Sequence, residues 1–277
     1  MTQPRRLSFV SATLRVFDVA VGQLLWSRRT VFMALAAGGP VVLAIIFRAL
    51  DVAGVSALRV NGVRVGGPAM FGGMIWLLYV RFVVPVLGAF YGTSLVADEV
   101  EDRTITYLFT RPIARGSIIM GKYLAYLACT TLVVLPCVMA VYLLMVPIGG
   151  GSVGEAFPSL LKDLGLLALG LAVYGAVFAF IGARVTRPLV AGLVLVFGWE
   201  QVALIVPGYL RRFTVAYYLQ SLVPHAMPTD DTMTAIESLF ARPPSAQSSI
   251  LWLLAILLVS LWLAARALET REYVLEQ

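Results

Sequence analysis

Polar and apolar residues along this chain segregate into blocks. Six apolar runs stand out, near Val31–Phe47, Ala69–Ala97, Tyr123–Val146, Leu164–Ala183, Leu189–Val206 and Ile250–Ala265. Their lengths lie around the ~20 residues a helix needs to cross ~30 Å of hydrocarbon. The pattern predicts an all-α polytopic membrane protein with six transmembrane helices in a single transmembrane domain, residues 1–277.

The segments between the runs have patterns of their own. Within residues 1–30, Leu7, Val10, Leu14, Phe17, Val21 and Leu24 recur at steps of three and four, opposite Arg15 and Asp18. That is one apolar helical face. With Trp26, Arg28 and Arg29 at its end as membrane anchors, it suits an amphipathic helix in the membrane interface. A helix packed on a soluble partner is the alternative. The connection 208–249, between spans five and six, predicts a small external helical cap. Thr229–Asp230 would cap its helix, Met233, Ile236, Leu239 and Phe240 form its apolar face, and Pro243–Pro244 end it. The first apolar run starts too late, and lacks the small-residue cleavage pattern, for a signal peptide.

Composition agrees with a lipid solvent. The chain is 60% hydrophobic and 13% charged, against ~45–50% apolar and ~25% charged in soluble domains. A net charge of +6 would point to nucleic acid in a soluble protein. Here the cations sit at the ends of apolar runs and report topology instead. With the N-terminus inside, thirteen Lys and Arg fall in cytoplasmic segments and seven outside, with Arg81 inside a span. Both termini are therefore predicted cytoplasmic. Cys129 and Cys137, eight residues apart on one predicted helix, lie ~12 Å apart along its axis, too far to bridge. One histidine, His225, leaves no Cys/His zinc cluster.

The stretch GSIIMGKY, residues 116–123, has the Gly-x4-Gly-Lys spacing of a phosphate-binding loop. However, Tyr123 stands where magnesium needs Ser or Thr, and Ile118, Ile119 and Met120 make a poor phosphate nest. No strand leads in, so the match is read as a helix start, with Lys122 anchored at the membrane surface. The connection just before it, 98–116, holds the densest charge: Asp98, Glu99, Glu101 and Asp102, then Arg103, Arg111 and Arg115. Acidic residues suit a helix N-terminus, Ile105, Leu108 and Phe109 share a face, and Pro112 ends or bends the helix. A short amphipathic helix on an inner loop suits docking to a soluble partner.

The stretch VADEVEDRTITYLFTRPIARGSIIMGKYLAY resembles the signature of ABC exporter permeases of the type-2 class. Glu99, Thr104, Leu108, Pro112, Ile113, Arg115, Gly121 and Lys122 match that pattern; Arg103 stands where the family commonly has Gly. The resemblance implies a permease subunit that works as a dimer, with a second copy or a homologue. It implies a cytoplasmic coupling helix, formed by Asp98–Arg115 and seated in a separate cytoplasmic ABC ATPase subunit. ATP and magnesium would then be on that partner, and this chain would carry no cofactor and no ATPase site of its own. Competing classes are a membrane-embedded lipid-modifying enzyme and a non-transporting assembly subunit. Apolar walls favour a lipid, a hydrophobic drug or a lipid-linked molecule as cargo.

Two charges fall within the runs. Arg81 and Glu200 have similar predicted depths and opposite signs, and a charge at mid-membrane costs at least ~2.5–3.5 kcal/mol. They are candidates for an ion pair or a polar lining, and Arg81 alternatively for snorkelling outward. The fourth run places Ala168, Ala172 and Ala176 four apart, with Gly175, Ala179 and Ala183 nearby. This face permits close helix approach, within the subunit or against a second copy. Gly38-Gly39-Pro40 predicts a kink in the first span.

Overall fold

The computed structural model describes residues 8–26, 28–54, 59–60, 63–64, 66–95, 115–205, 209–223 and 244–270. Among the described residues the regular structure is helical apart from a two-residue antiparallel pairing, β1 (Arg59–Val60) with β2 (Val63–Arg64). Helix α1 spans Phe9–Leu25 and starts at Ser8, whose hydroxyl accepts the Ser11 N–H. Helix α2 spans Arg28–Val52, α3 Gly67–Leu95, α4 Arg115–Met145 and α5 Val153–Arg184. Helix α6 joins Pro188–Val194 to Glu200–Ile205 through a π-helical turn, Leu195–Trp199. A 3-10 turn, Tyr209–Phe213, leads to the short α7, Val215–Gln220, and α8 spans Ala246–Thr270.

Among the described residues five helices, α2, α3, α4, α5 and α8, are long and apolar enough to cross a membrane. The predicted fifth span is occupied by α6, an apolar helix of lesser length. Burial separates the five. In α3 and α5, 67% and 61% of the apolar window is buried, against 22% in each of α2 and α8. The first pair forms the centre of the bundle. The second presents Leu35, Val42, Leu251, Leu258 and Trp262 outward, a surface that only lipid or another apolar partner suits.

The small-residue face of α5 packs within the subunit. Ala176, Ala179 and Ala183 are fully buried. A Cβ on Gly175 would lie 2.1 Å from the Tyr126 ring of α4, and one on Gly182 would lie 2.4 Å from the Thr93 carbonyl oxygen of α3. Hydroxyls cross the same seam: Tyr123 donates to Ala172 O (2.8 Å) and Tyr126 to Leu171 O (3.0 Å). Between α4 and α5 the chain reverses at Gly149 and Gly150, with φ of 71° and 86°, a left-handed conformation that glycine adopts without strain. Helix α2 runs unbroken through Pro40. Tyr79 of α3 donates to Ala37 O at 3.1 Å, beside the carbonyl that Pro40, lacking an N–H, leaves without its helical donor. Cys129 and Cys137 are free thiols.

Helix α1 rests along α4, and its contact face differs from the predicted stripe. Ala12, Thr13 and Ala20 are buried, while Val10 and Leu14 are more than half exposed. The small residues lie about a third of a turn around the helix from the Val10–Leu14 stripe, given ~100° per residue. The helix thus has a packing seam, a separate apolar stripe, and an exposed polar face with Arg15 and Asp18.

Candidate functional site

Two polar constellations stand out in this apolar bundle. The first lies where α3 ends and α4 begins. Of the predicted coupling residues, Asp98, Glu99, Glu101, Asp102, Arg103, Thr104, Leu108, Arg111 and Pro112 lie outside the described residues, as does the predicted cap helix with Met233 and Phe240. Arg115 opens α4. From Gly116 to Tyr123 the chain is continuous helix, so its backbone N–H groups run along a helix rather than curling around a phosphate.

Within that helix the Gly-Lys pair has a definite geometry. A Cβ on Gly121 would lie 2.7 Å from both Thr13 O and Val16 Cβ, so glycine lets α1 seat directly on α4. The half-buried Lys122 donates from Nζ to Leu95 O at 3.2 Å. That carbonyl belongs to the last described residue of α3. The two helices flanking the 96–114 stretch are therefore clamped to each other, with α1 laid across the second. Trp26, predicted as an anchor, ends α1 and is 93% exposed. Arg28 and Arg29 open α2.

The second constellation lies inside the apolar bundle. Arg81 is fourteen residues from either end of Gly67–Leu95, inside a π-helical segment, Ile75–Val83. Glu200 directly follows the π turn of α6. Such turns break the regular helical register and recur at functional sites. The structure brings the two residues onto neighbouring turns but does not ion-pair them. Arg81 donates to Gln201 Oε1 from Nε (3.2 Å) and Nη2 (2.8 Å) and lies 5.4 Å over the Trp76 ring.

Glu200, 3% exposed, accepts the Tyr174 hydroxyl at 2.5 Å. Its segment of α6, Glu200–Ile205, also packs against α7. Tyr174 is fully buried and stacked on Phe178 at 6.1 Å. The buried carboxyl group thus has a hydrogen-bond partner on α5, as a polar group away from water requires. Sequence reasoning singled out Arg81 and Glu200 but missed their partners. Gln201 was open to view, a second polar residue in an apolar run. Tyr174 carried no such signal.

Among the described residues no group of three or more His, Cys, Asp or Glu is placed to hold a metal ion. A search of curated proteins returns no match. The model of the family described as ABC-2 family transporter protein matches residues 9–273, a span that takes in every helix described above. The chain accordingly belongs to the ABC-2 transporter family.

Proposed function

We propose that this chain is the permease subunit of an ATP-driven exporter in the cell membrane, with both termini cytoplasmic. It carries no ATP site; a separate ABC ATPase subunit binds ATP and magnesium, and two permease subunits together enclose the path. The observation that carries this reading is the family match across residues 9–273, which covers the whole bundle and the 98–116 stretch with it.

In this reading the coupling element lies between Asp98 and Arg115, with Leu108 on its docking face and Arg111 at its end. ATP must bias a two-state element in the membrane, so a force on this stretch has to reach the spans. The Lys122–Leu95 contact supports such transmission, because it ties both ends of the stretch to one rigid pair of helices. The test is a double substitution, Leu108→Ala with Arg111→Ala, in the assembled complex. Loss of cargo movement with ATP hydrolysis persisting is the expected result; transport at the parent rate would overturn the assignment.

A further inference from the structure

Arg81 sits deeper in its span than any other cation among the described residues, fourteen residues from either end of α3. At ~1.5 Å per residue each end lies ~21 Å away. Wherever a ~30 Å hydrocarbon layer is set along such a helix, Arg81 stays at least ~9 Å inside it. A cation so placed needs an acceptor or an anion beside it.

The protein aims this guanidinium without neutralising it. Ile75–Val83 is π-helical, which sets residues five apart one turn above another. Trp76 thereby backs Arg81, with its ring 5.4 Å from the guanidinium carbon. Gln201 Oε1 accepts from Nε and Nη2 and fixes one edge of the fork. Arginine carries five N–H donors, and the Nη1 pair meets no acceptor among the described residues. The buried indole N–H of Trp76 has none there either. The place is rich in donors, short of acceptors and positively charged. Arg81 itself is half-buried, and its neighbours on α3 and α6 are apolar and exposed: Leu77, Phe82, Phe197 and Val202, with Phe82 against Phe197 at 6.1 Å.

A second copy of this chain offers no described counter-charge at that depth. Asp163 and Glu200 are buried. Asp51, Glu155 and Glu269 lie in the end turns of α2, α5 and α8. Asp18 is on α1, which meets α4 at Gly121, near the Arg115 end. Two subunits in one bilayer meet at like depth, so none of these carboxylates reaches Arg81 of a neighbour.

We propose that Arg81, held by Gln201 and Trp76, binds the oxyanion of an amphiphile, a phosphate or carboxylate group carried on an apolar body. The free edge of the fork takes the oxyanion through charge-assisted N–H bonds, and the exposed Leu77, Phe82 and Phe197 side chains take the apolar body. The site stands on this geometry; that its occupant is cargo rests on the export reading.

The test uses the full-length chain in maltoside micelles, which carry no anion, and photolabelling by a diazirine-bearing dodecyl phosphate or the matching dodecanol. The parent should label saturably with the phosphate, at a half-saturating concentration at least about tenfold below that of the alcohol. Arg81→Gln should raise that concentration at least about tenfold, the response to losing charge-assisted hydrogen bonds, and leave the alcohol unaffected. Equal values in the parent and Arg81→Gln overturn the proposal. So does an alcohol that matches the phosphate in the parent, because partition onto an apolar surface would explain both. Inorganic phosphate displacing the probe at the probe's own concentration overturns the amphiphile as occupant. A disulfide between Arg81→Cys copies lacking the native cysteines puts a second copy on the site and overturns it as well. Should Arg81→Gln fail to insert, Arg81→Lys takes its place, keeping the charge and losing the fork: a several-fold rise supports the site and an unchanged value overturns it. The labelling needs no ATPase partner, so it decides on the site whether or not the assembled complex exports.

Discussion

Adding one methyl group at Gly175 probes whether the centre of the bundle is as tightly set as its glycines imply. The new Cβ would lie 2.1 Å from Tyr126 Cε1 and 2.8 Å from Cζ, where ordinary contact begins at 3.4 Å. The ring must retreat by the difference, 1.3 Å, yet it is fully buried and has nowhere to go without displacing α4. Retreat also breaks the 3.0 Å bond from its hydroxyl to Leu171 O. Overpacking costs ~1–3 kcal/mol, and stranding the buried hydroxyl ~1–3 kcal/mol more. Alanine gains ~1 kcal/mol in helix propensity over glycine, so the proper reference is a second glycine-to-alanine change on the same helix. Gly165 serves, having nothing within 4 Å of its Cβ position. With the propensity gain common to both, Gly175→Ala should be less stable than Gly165→Ala by ~2–6 kcal/mol. At about 2–4 °C per kcal/mol this separates their melting midpoints by on the order of 4–24 °C. Thermal unfolding in detergent, followed by size-exclusion recovery, measures it. Midpoints agreeing within about 2 °C, under one kcal/mol on that scale, would refute the reasoning and place slack between α4 and α5.

Two further substitutions test the end of the bundle that holds the coupling stretch. Lys122→Met removes the donor to Leu95 O at little cost in packing. It should leave the melting midpoint nearly unchanged and lower cargo-stimulated ATP turnover in the assembled complex several-fold, with Lys122→Arg retaining part of it; unchanged turnover would remove the clamp from the coupling route. Gly121→Leu drives a side chain into Thr13 and Val16 and should lift α1 off α4. The check is the maleimide labelling rate of Ala12→Cys in a background without native cysteines, since Ala12 is 2% exposed; an unchanged rate would show that α1 is held elsewhere.

Much of this architecture was legible in the chain because hydrocarbon imposes length and composition directly. The runs at 31–47, 69–97, 123–146, 164–183 and 250–265 all fall on long apolar helices, and the run at 189–206 falls on the shorter α6. The Ala/Gly face of α5 was visible by its four-residue spacing, but spacing does not name a partner; the Tyr126 ring against Gly175 does. For α1 the reading found the apolar stripe and not the packing seam. A hydrophobic scale weights Val10 and Leu14 above Ala12 and Ala20, yet close helix contact selects the small residues. The π turns before Glu200 and around Arg81 were hidden because they arise from packing rather than from residue type. With them was hidden the reason Arg81 meets Gln201 instead of Glu200. The return of α7 into the bundle was also out of reach, since a six-residue helix in a loop looks the same from sequence wherever it settles.

The seating of α7 has a consequence for how the protein is made. Synthesis runs from the N-terminus, so α5 and α6 are made before the chain that carries α7. The packing that buries Val215, Ala216, Tyr218 and Leu219 is therefore completed only after both, and the last helix, carrying Ser249, closes the assembly behind it.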